Sequence, residues 1–442
     1  MLSKYVRVRE RGSVVAIFHE LHPVPFYCAK EDWQAFVAGI GVRADMQQEL
    51  IERRLIVSCL EEDEREFQRV AKAVERKLSQ PNILYLMTAQ GCNFRCGYCP
   101  VPELAKKLGE TLLSGEDARS GIELWARHIS DRFDETGRYV VIFYGGEPLL
   151  NIPVIVVSLS HIRTLKEKGV LPQGVSSMIA TNGACVDENV VAMCKEHDVT
   201  VVVGIDGMRE ANDSLKVDIL GNGTFDRIVS AIKQLVSGGV HTCTSVMIHP
   251  FNINQIEKIT GFLEGLGVEK IGFNFLRGKH LHQLVDPTKT DAYFRQAAQV
   301  LIRNANTGTP GFEYQMEKKV SAFRQGDFFP VDCTCYGNQL VIQPDGQISH
   351  CPFSKPKLGN VREVGRGFRI SEQLIVSEWR KRLPLYHSAY AASDAKALCG
   401  TGCAWGSEEL YNDALALDAG SKIFSEEVFN ELIWSNYTQE KA

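Results

Sequence analysis

Short apolar runs and longer amphipathic stretches alternate along the middle of this chain, which has 442 residues in all. The apolar runs have the length of strands, and the stretches between them repeat apolar residues at helical spacing. The predicted strands cover residues 82–88, 139–144, 176–181, 199–204, 241–248 and 270–275. The predicted helices cover residues 115–132, 154–168, 188–197, 225–236, 254–266 and 290–304. Six strand–helix units in a row predict an α/β fold, with a parallel sheet and helices outside it.

The first 80 residues have a different pattern. Two short strands are predicted at residues 5–9 and 13–19, with Arg11 and Gly12 in the turn between them and a third strand at 26–28. Helical patterns follow at residues 30–37, 46–54 and 61–78. We therefore treat residues 1–80 as a separate, small α+β module.

Composition narrows the classes of function. The net charge is −5 and the pI is about 6.2, without a long basic block, so nucleic acid is not an expected partner. No 18 apolar residues follow one another, and the N-terminus lacks the pattern of a secretory signal, so we expect no membrane span. Thirteen cysteines in such a chain predict metal ligation in a reducing cytoplasm rather than a disulfide framework.

Three of these cysteines share one short loop directly after the first strand of the central region. Cys92, Cys96 and Cys99 lie in the sequence GCNFRCGYCP at residues 91–100. This spacing lets three thiolates bind three irons of a [4Fe–4S] cube and leaves the fourth iron open for chemistry. A structural zinc or a purely structural cluster is the alternative.

The loop resembles the signature of the radical S-adenosylmethionine (SAM) superfamily, in which an aromatic residue, here Tyr98, precedes the last cysteine. The resemblance implies a partial (β/α)6 TIM-type barrel over residues 81–305. It also implies that SAM binds the open iron and is cleaved reductively to methionine and a 5′-deoxyadenosyl radical. An electron donor of the flavodoxin or ferredoxin type is the implied redox partner.

Three further segments at predicted strand ends resemble the SAM-binding motifs of that superfamily. The first is Gly145, Gly146, Glu147 and Pro148, where glycines permit close approach of the backbone and the matching motif contacts the SAM amino group. The other two contain Thr181 with Asn182, and Asp206; they match segments that line the SAM ribose and carboxylate. The superfamily's usual serine is Gly204 here. Ordinary turn chemistry is the alternative reading of each segment.

A second set of cysteines lies in the loop-rich tail, residues 306–442. Its members are Cys333, Cys335, Cys351, Cys399 and Cys403. A β-hairpin predicted at residues 339–350 returns the chain so that Cys335 and Cys351 face one metal. The tail resembles the SPASM/twitch extension, which carries auxiliary [4Fe–4S] clusters; a zinc knuckle is the alternative.

The tail departs from a full SPASM extension. Tyr390 and Ser393 stand at the spacing of two of its cysteines, so the ligands suffice for one auxiliary cluster and not for two. Cys335, Cys351 and Cys403 are the expected ligands, with Cys333 or Cys399 as the fourth. The remaining cysteines, including Cys185, are expected to be small buried apolar residues.

The N-terminal module is similar in its order of elements to the PqqD-like (RRE) modules of peptide maturases. Those modules bind a leader peptide as an added strand at a sheet edge. The alternative is a simple cap on the barrel.

Together these resemblances imply that the enzyme removes hydrogen from a ribosomally made precursor peptide and installs a crosslink, a thioether or another C–H modification. Pro352 follows Cys351 where anaerobic sulfatase-maturing enzymes carry a catalytic aspartate, so we do not expect formylglycine synthesis. Four alternatives remain open: a small-molecule dehydrogenase, a molybdopterin-type synthase, a peptide epimerase and a non-catalytic iron–sulfur protein.

Overall fold

The computed structural model describes residues 1–41, 44–101, 111–130, 137–306, 314–353, 357–391 and 393–441. The strands are β1 (Val6–Arg11), β2 (Val14–His19), β3 (His22–Ala29), β4 (Ile83–Ala89), β5 (Val140–Gly145), β6 (Ser176–Thr181), β7 (Val199–Gly204), β8 (Thr242–Ile248), β9 (Lys270–Phe275), β10 (Gln339–Ile342) and β11 (Ile348–Ser349). The helices of the first two-thirds are α1 (Lys30–Val37), α2 (Ala44–Glu52), α3 (Leu60–Leu78), α4 (Gly115–Ser130), α5 (Ile152–Glu167), α6 (Glu188–Glu196), α7 (Arg209–Asp213), α8 (Phe225–Ser237), α9 (Ile256–Gly265), α10 (Lys279–Leu284) and α11 (Thr290–Asn306). Those of the tail are α12 (Tyr314–Gln325), α13 (Leu374–Arg380), α14 (Ala404–Tyr411) and α15 (Ala419–Lys441).

The central sheet has the strand order β11-β10-β4-β5-β6-β7-β8-β9. Strands β4 to β9 pair in parallel and in chain order, which confirms the α/β class and the parallel sheet predicted from the sequence. The six predicted strands match the observed ones to within one residue at each end. The predicted helices match to within two residues, except that the end of the helix predicted at 115–132 lies outside the described residues.

The tail contributes to the same sheet. β10 pairs in parallel with β4, and β11 turns back antiparallel to β10. The hairpin predicted at residues 339–350 is therefore present, but its first strand extends the barrel sheet instead of standing apart. Cys335 precedes β10 and Cys351 follows β11, so both cysteines lie near the amino end of β4. The loop of Cys92 leaves the opposite, carboxyl end of that strand.

One helix next to the sheet is unusually apolar. The segment Pro148–Glu167 is long and apolar enough to cross a membrane by length and composition, with a mean hydropathy of 1.4. The mean hydropathy of the segment is high enough although polar residues such as Ser158 and His161 interrupt its apolar run. Because of these interruptions, no membrane span was predicted from the sequence. Half of the segment is buried, and Ile155 and Ile162 are among the residues of the main hydrophobic core. This segment therefore packs as a core helix.

The N-terminal module has the predicted order of three antiparallel strands followed by three helices. One face of its sheet packs on its own helices, with Ile17 and Trp33 in one cluster. The other face packs on the tail, where the rings of Phe18 and Phe429 meet edge to face at 5.1 Å. Both faces of the small sheet are thus covered, which joins residues 1–80 to helices α12 and α15.

Candidate metal centres and cofactor site

The predicted SAM-site residues converge at one edge of the central sheet. The cysteine loop follows β4, the Gly-Gly-Glu-Pro segment closes β5, and Thr181 and Asp206 stand at the ends of β6 and β7. The carboxyl ends of parallel strands meet at the same edge, which is where α/β barrels place their functional groups. Four sequence segments are brought together there by topology alone.

A second segment of backbone braces the cysteine loop. The N–H groups of Arg95 and Gly97 donate to the carbonyls of Val217 and Leu215, each at 2.8 Å, and Ile219 N–H donates to Asn93 O at 3.3 Å. Residues 215–223 therefore run beside the loop as a partner strand. We call this segment the ribbon. It holds the backbone between the cysteines in a fixed shape.

The three loop thiols influence one another. The pKa of Cys92 is raised to about 12, mainly by burial and in smaller part by Glu147, Cys96 and Cys99. Burial likewise raises the pKa of Cys96 to about 11, while the nearby Lys216 ammonium lowers it. The cysteines are thus grouped, although in the described part of the chain no three His, Cys, Asp or Glu side chains surround a single ion. A cubane suits such a group, because each of its thiolates binds a different iron.

The glycines after β5 fit against the cysteine loop itself. A Cβ on Gly146 would lie 1.9 Å from Gly91 O, and Gly146 N–H donates to Ala89 O at 2.8 Å. The N–H of Glu147 donates to Gly91 O at 3.0 Å. The sequence led us to expect that these glycines let the backbone approach a ligand. In the structure they let it approach the backbone of the cysteine loop, and this contact holds the two loops together.

Glu147 is fully buried and joins three strand ends. Its Oε1 accepts from Thr181 Oγ1 at 2.6 Å and from Leu149 N–H at 3.0 Å, and its Oε2 accepts from Asn182 N–H at 2.8 Å. Burial raises the pKa of this carboxyl, while these hydrogen bonds lower it. Oε2 accepts one hydrogen bond from the protein, so it has capacity for another donor.

Tyr98, Asp206 and Lys216 form a buried polar group beside the thiols. Tyr98 donates its hydroxyl to Asp206 Oδ2 at 2.5 Å, and Lys216 Nζ lies 3.8 Å from the same oxygen. Burial lowers the pKa of Lys216, but Asp206 and the cysteines more than reverse this and raise it. Lys216 therefore carries a positive charge at the point where the three cysteine side chains gather.

Lys216 is a site residue that the sequence did not indicate. It lies in the ribbon between Leu215 and Val217, where an isolated lysine has no recognisable signature. A Cβ on Gly204 would lie 3.2 Å from Lys216 Nζ. The ammonium thus stands next to the position from which the superfamily's serine would project, and Gly204 leaves room for it.

Asn182 links the third segment to the cysteine loop. Its Nδ2 donates to Asn93 Oδ1 at 2.7 Å and lies 3.6 Å from Cys92 Sγ. Asn93 Nδ2 in turn lies 3.4 Å from Cys185 Sγ. Cys185 is therefore a neighbour of the cysteine loop, a position that its expected role as a simple apolar residue did not suggest.

Four of the five tail cysteines form one group. Cys333 and Cys335 hydrogen-bond to each other, and Cys333, Cys351 and Cys403 all raise the pKa of Cys335, after burial as the main cause. The hydrogen bond from Cys335 is the main reason why the pKa of Cys333 falls to about 7. Cys403 Sγ accepts from Gly406 N–H at 3.2 Å, at the start of α14.

Cys399 lies outside this group. Its sulfur is 3.6 Å from Ser393 Oγ, which also donates to Glu426 Oε1 at 3.0 Å. Cys399 and Tyr390 belong to the apolar cluster that packs the N-terminal sheet, a different cluster from that of Cys335. The sequence left Cys333 and Cys399 as candidates for the fourth ligand. The structure brings Cys333, and not Cys399, to Cys335, Cys351 and Cys403.

Two buried carboxylates shape the turn between Cys399 and Cys403. Asp332 accepts from Gly402 N–H at 2.9 Å and pairs with the buried Lys319 ammonium at 2.5 Å. Asp418 accepts from Cys403 N–H at 3.0 Å and pairs at 2.6 Å with Arg277, just after β9. The turn that presents Cys403 is therefore tied to the carboxyl end of β9.

Tyr144 feels the electrostatic influence of both cysteine groups. It is the residue before Gly145 in β5, and its ring meets that of Tyr85 in β4 edge to face at 5.9 Å. Burial raises its pKa to about 12, and Cys99, Cys351 and Cys92 all add to that effect. Members of both groups thus lie within electrostatic range of one phenol, a second residue that the motifs did not indicate.

Comparison with known proteins agrees with this arrangement. The sequence model described as the radical SAM superfamily matches residues 86–263, which include the three loop cysteines and the ends of β4 to β8. Residues 86–263 are therefore a radical SAM domain, and the chain is an enzyme. Such a domain uses SAM and a [4Fe–4S] cluster as cofactors.

Several characterised relatives and solved structures resemble this chain. A cysteine-type anaerobic sulfatase-maturating enzyme of Clostridium novyi is 23% identical, over 64% of this chain and 77% of the relative. The radical SAM cyclopropyl synthase TigE of Paramaledivibacter caminithermalis is 20% identical, over 83% of this chain and 76% of TigE.

Two solved structures share the fold. The structure of anSMEcpe with bound AdoMet and the Cp18Cys peptide has a TM-score of 0.65 at 18% identity, covering 80% of this chain and 98% of the other. Streptococcus suis SuiB bound to S-adenosylmethionine has a TM-score of 0.52 at 13% identity, covering 96% and 100%. These likenesses establish the fold.

Proposed function

We propose that this radical SAM enzyme modifies a ribosomally made precursor peptide and uses one auxiliary [4Fe–4S] cluster. The ligands of the radical SAM cluster are Cys92, Cys96 and Cys99. The ligands of the auxiliary cluster are Cys333, Cys335, Cys351 and Cys403. The observation that carries the proposal is the convergence of these four tail cysteines, with Cys399 excluded.

The residues around the first site suit SAM. When bound there, the cluster and SAM supply a 5′-deoxyadenosyl radical, which removes hydrogen from carbon. Glu147 Oε2 has capacity to accept from an amino group, and Lys216 offers a cation for a carboxylate. Tyr98, through its hydroxyl, and Met247, through its N–H, hold the Asp206 carboxylate in place. These groups bind and orient the amino-acid part of SAM.

An auxiliary iron–sulfur site favours products that have lost electrons relative to the substrate. A crosslink, a thioether or an unsaturated residue fits this condition, whereas epimerisation leaves the oxidation state unchanged. The relatives include a cyclopropyl synthase and sulfatase-maturating enzymes. Pro352 offers no carboxylate next to Cys351, so we do not assign formylglycine synthesis. We place the reaction in an anaerobic cytoplasm, with a flavodoxin- or ferredoxin-type donor.

The first experiment is anaerobic turnover of the reconstituted protein with SAM and dithionite. We expect 5′-deoxyadenosine from the parent protein and none from Cys96→Ala. Co-expression with short peptides encoded beside the gene then tests the substrate, because a crosslink or thioether removes two hydrogen atoms from the peptide mass. A product of unchanged mass with an inverted residue would replace the oxidative proposal by epimerisation.

From the N-terminal module we infer how a leader peptide docks. Pro23 and Pro25 have no N–H groups, so β3 is a poor edge for strand addition. Tyr5 O, one residue before β1, accepts from Glu20 N–H, one residue after β2, and by alternation the N–H groups of Val8 and Glu10 point away from β2. We therefore propose that a leader strand adds to β1.

Substitution Val8→Pro tests this edge with little disturbance of the β1–β2 ladder. We expect the KM for a leader-bearing peptide to rise by up to about tenfold, because the hydrogen bond that the Val8 N–H donates to the leader strand is lost. Val8→Thr keeps the N–H and is the matched control. An unchanged KM in Val8→Pro would exclude the β1 edge.

One observation favours a second candidate function, that of a small-molecule dehydrogenase or a molybdopterin-type synthase. The small sheet is packed on both faces, as expected of a cap. Deleting residues 1–80 would expose Phe429 and its apolar neighbours and so destabilise the rest of the chain. Point variants therefore test the role of this module better than a deletion does. If Val8→Pro changes nothing and no nearby peptide is modified, while SAM cleavage persists, the small-molecule reading is preferred.

A further inference from the structure

The tip of the ribbon exposes two adjacent aliphatic side chains close to the cysteine loop. Ile219 is 55% exposed and Leu220 is 81% exposed. Ile219 N–H donates to Asn93 O, one residue from Cys92. Single exposed aliphatic side chains are common on protein surfaces, whereas adjacent ones are typical of a surface that binds a partner.

The tip is built to keep these side chains outward. Asp218 Oδ1 accepts from the N–H groups of Leu220 and Asn222, each at 2.9 Å, and its Oδ2 accepts from Asn222 Nδ2 at 3.2 Å. Gly221 takes a φ of +88°, which closes the turn. The exposure of Leu220 is therefore fixed by a hydrogen-bonded turn.

Positive charge flanks the tip. Arg95 lies on the neighbouring strand, where its N–H donates to Val217 O, and its side chain is exposed. Arg227 is exposed and acts electrostatically on Asp218 and Cys185. Among the described residues neither arginine has an ion-pair partner within 4.0 Å. Two exposed arginine side chains thus flank the one carboxylate of the turn at residues 218–222, Asp218, which keeps its negative charge while it accepts the hydrogen bonds of the turn.

We propose that the ribbon tip is the docking surface for an acidic one-electron carrier protein that reduces the cluster of Cys92, Cys96 and Cys99. The inference rests on the proposed function of that site. The carrier loses one electron and the cluster gains it, and no bond in this chain forms or breaks. A protein covering Leu220 lies beside the cysteine loop, because the neighbouring Ile219 N–H donates to Asn93 O, whereas a peptide substrate must reach the barrel interior. Apolar contact supplies affinity, and the arginines steer an acidic partner.

The test compares two reductants on the same enzyme. SAM cleavage is measured with photoreduced bacterial flavodoxin and, separately, with dithionite, which needs no docking surface. In the double variant Ile219→Ser/Leu220→Ser we expect the ratio of the flavodoxin rate to the dithionite rate to fall about tenfold. Leu374→Ser, at a leucine that is 85% exposed elsewhere, is the control and keeps the ratio.

Charge gives a second measurement. We expect Arg227→Glu to lower the flavodoxin rate at low salt and to flatten its salt dependence. An unchanged ratio in the double variant would overturn the docking proposal. If the double variant keeps the flavodoxin-to-dithionite ratio but has a raised KM for the peptide with dithionite, the tip binds the substrate instead. No SAM cleavage by the parent enzyme with dithionite would contradict the proposed function rather than the docking surface.

Discussion

The loop of Cys92 follows β4, whereas Cys335 and Cys351 of the tail group lie near the amino end of that strand, and the two cysteine groups are built in different ways. Cys92, Cys96 and Cys99 come from one loop of eight residues, whose shape is set by hydrogen bonds to the ribbon. The tail group collects Cys333 and Cys335 from one turn, Cys351 from the end of a hairpin and Cys403 from the start of a helix. A local site depends on spacing, whereas a distributed site depends on every element that carries a ligand.

The charge environment of the groups differs as well. Burial raises the pKa of Cys92 and Cys96, and Lys216 provides the loop with a neighbouring cation. In the tail, the hydrogen bond from Cys335 lowers the pKa of Cys333 to about 7. In the loop, the buried ammonium of Lys216 thus offsets negative charge on the cysteines. In the tail, a hydrogen bond in which two thiols share one proton has this role.

The largest expected effect separates the two groups by function. Replacing Cys92, Cys96 and Cys99 by alanine should lower iron from about eight to about four per chain and abolish SAM cleavage. Replacing the four grouped tail cysteines should remove a similar amount of iron but leave 5′-deoxyadenosine formation with dithionite. Iron and sulfide analysis with product chromatography measures both. Loss of SAM cleavage in the tail variant would show that the groups are not independent.

Removing the cation of the loop site should destabilise the fold. Lys216→Met leaves the Asp206 carboxylate buried without its ammonium partner, so we expect a loss of about 3 kcal/mol in the free energy of unfolding. Urea denaturation of the apo chain measures this loss, with the exposed Lys233→Met as control. Adding Asp206→Asn should recover part of the stability, because the unpaired charge is then gone. Equal losses in the two lysine variants would contradict the pairing.

The next contrast lies within the tail. Cys403→Ala should lower iron by about four per chain, whereas Cys399→Ala should keep all of it. Because Cys399 is fully buried and contacts Ser393, its replacement should instead cost about 1–2 kcal/mol of stability. Iron analysis and urea denaturation of both variants are compared. Iron loss in Cys399→Ala would restore it as a ligand in place of Cys333.

The smallest effect concerns thiol reactivity in the metal-free chain. A lowered pKa means that Cys333 is largely thiolate at about pH 7.5, while Cys92 and Cys96 stay protonated until pH approaches about 11. Iodoacetamide labelling read by peptide mass spectrometry should therefore modify Cys333 first and the loop only at high pH. In Cys335→Ala the early labelling of Cys333 should slow. Equal rates for both groups at neutral pH would refute the proton-sharing account.

Much of this architecture could be predicted because its signals are local. Buried parallel strands are continuous apolar runs, so β6, β7 and β9 were predicted with their observed bounds. The loop thiols follow from a spacing of a few residues, and the strand-end motifs follow from the α/β pattern. The order of the N-terminal elements was predictable in the same way.

What the tertiary structure decided is which distant residues meet. Lys216 reaches the thiols because the ribbon pairs with the cysteine loop, and Tyr144 feels the electrostatic influence of both groups because β10 joins β4. Gly400 and Gly402 both adopt positive φ, so the chain turns between Cys399, which lies in the apolar cluster of Phe429, and Cys403, which lies with the other tail cysteines. Spacing along a chain limits only nearby contacts, whereas contacts between distant segments are selected by the free energy of packing the whole fold.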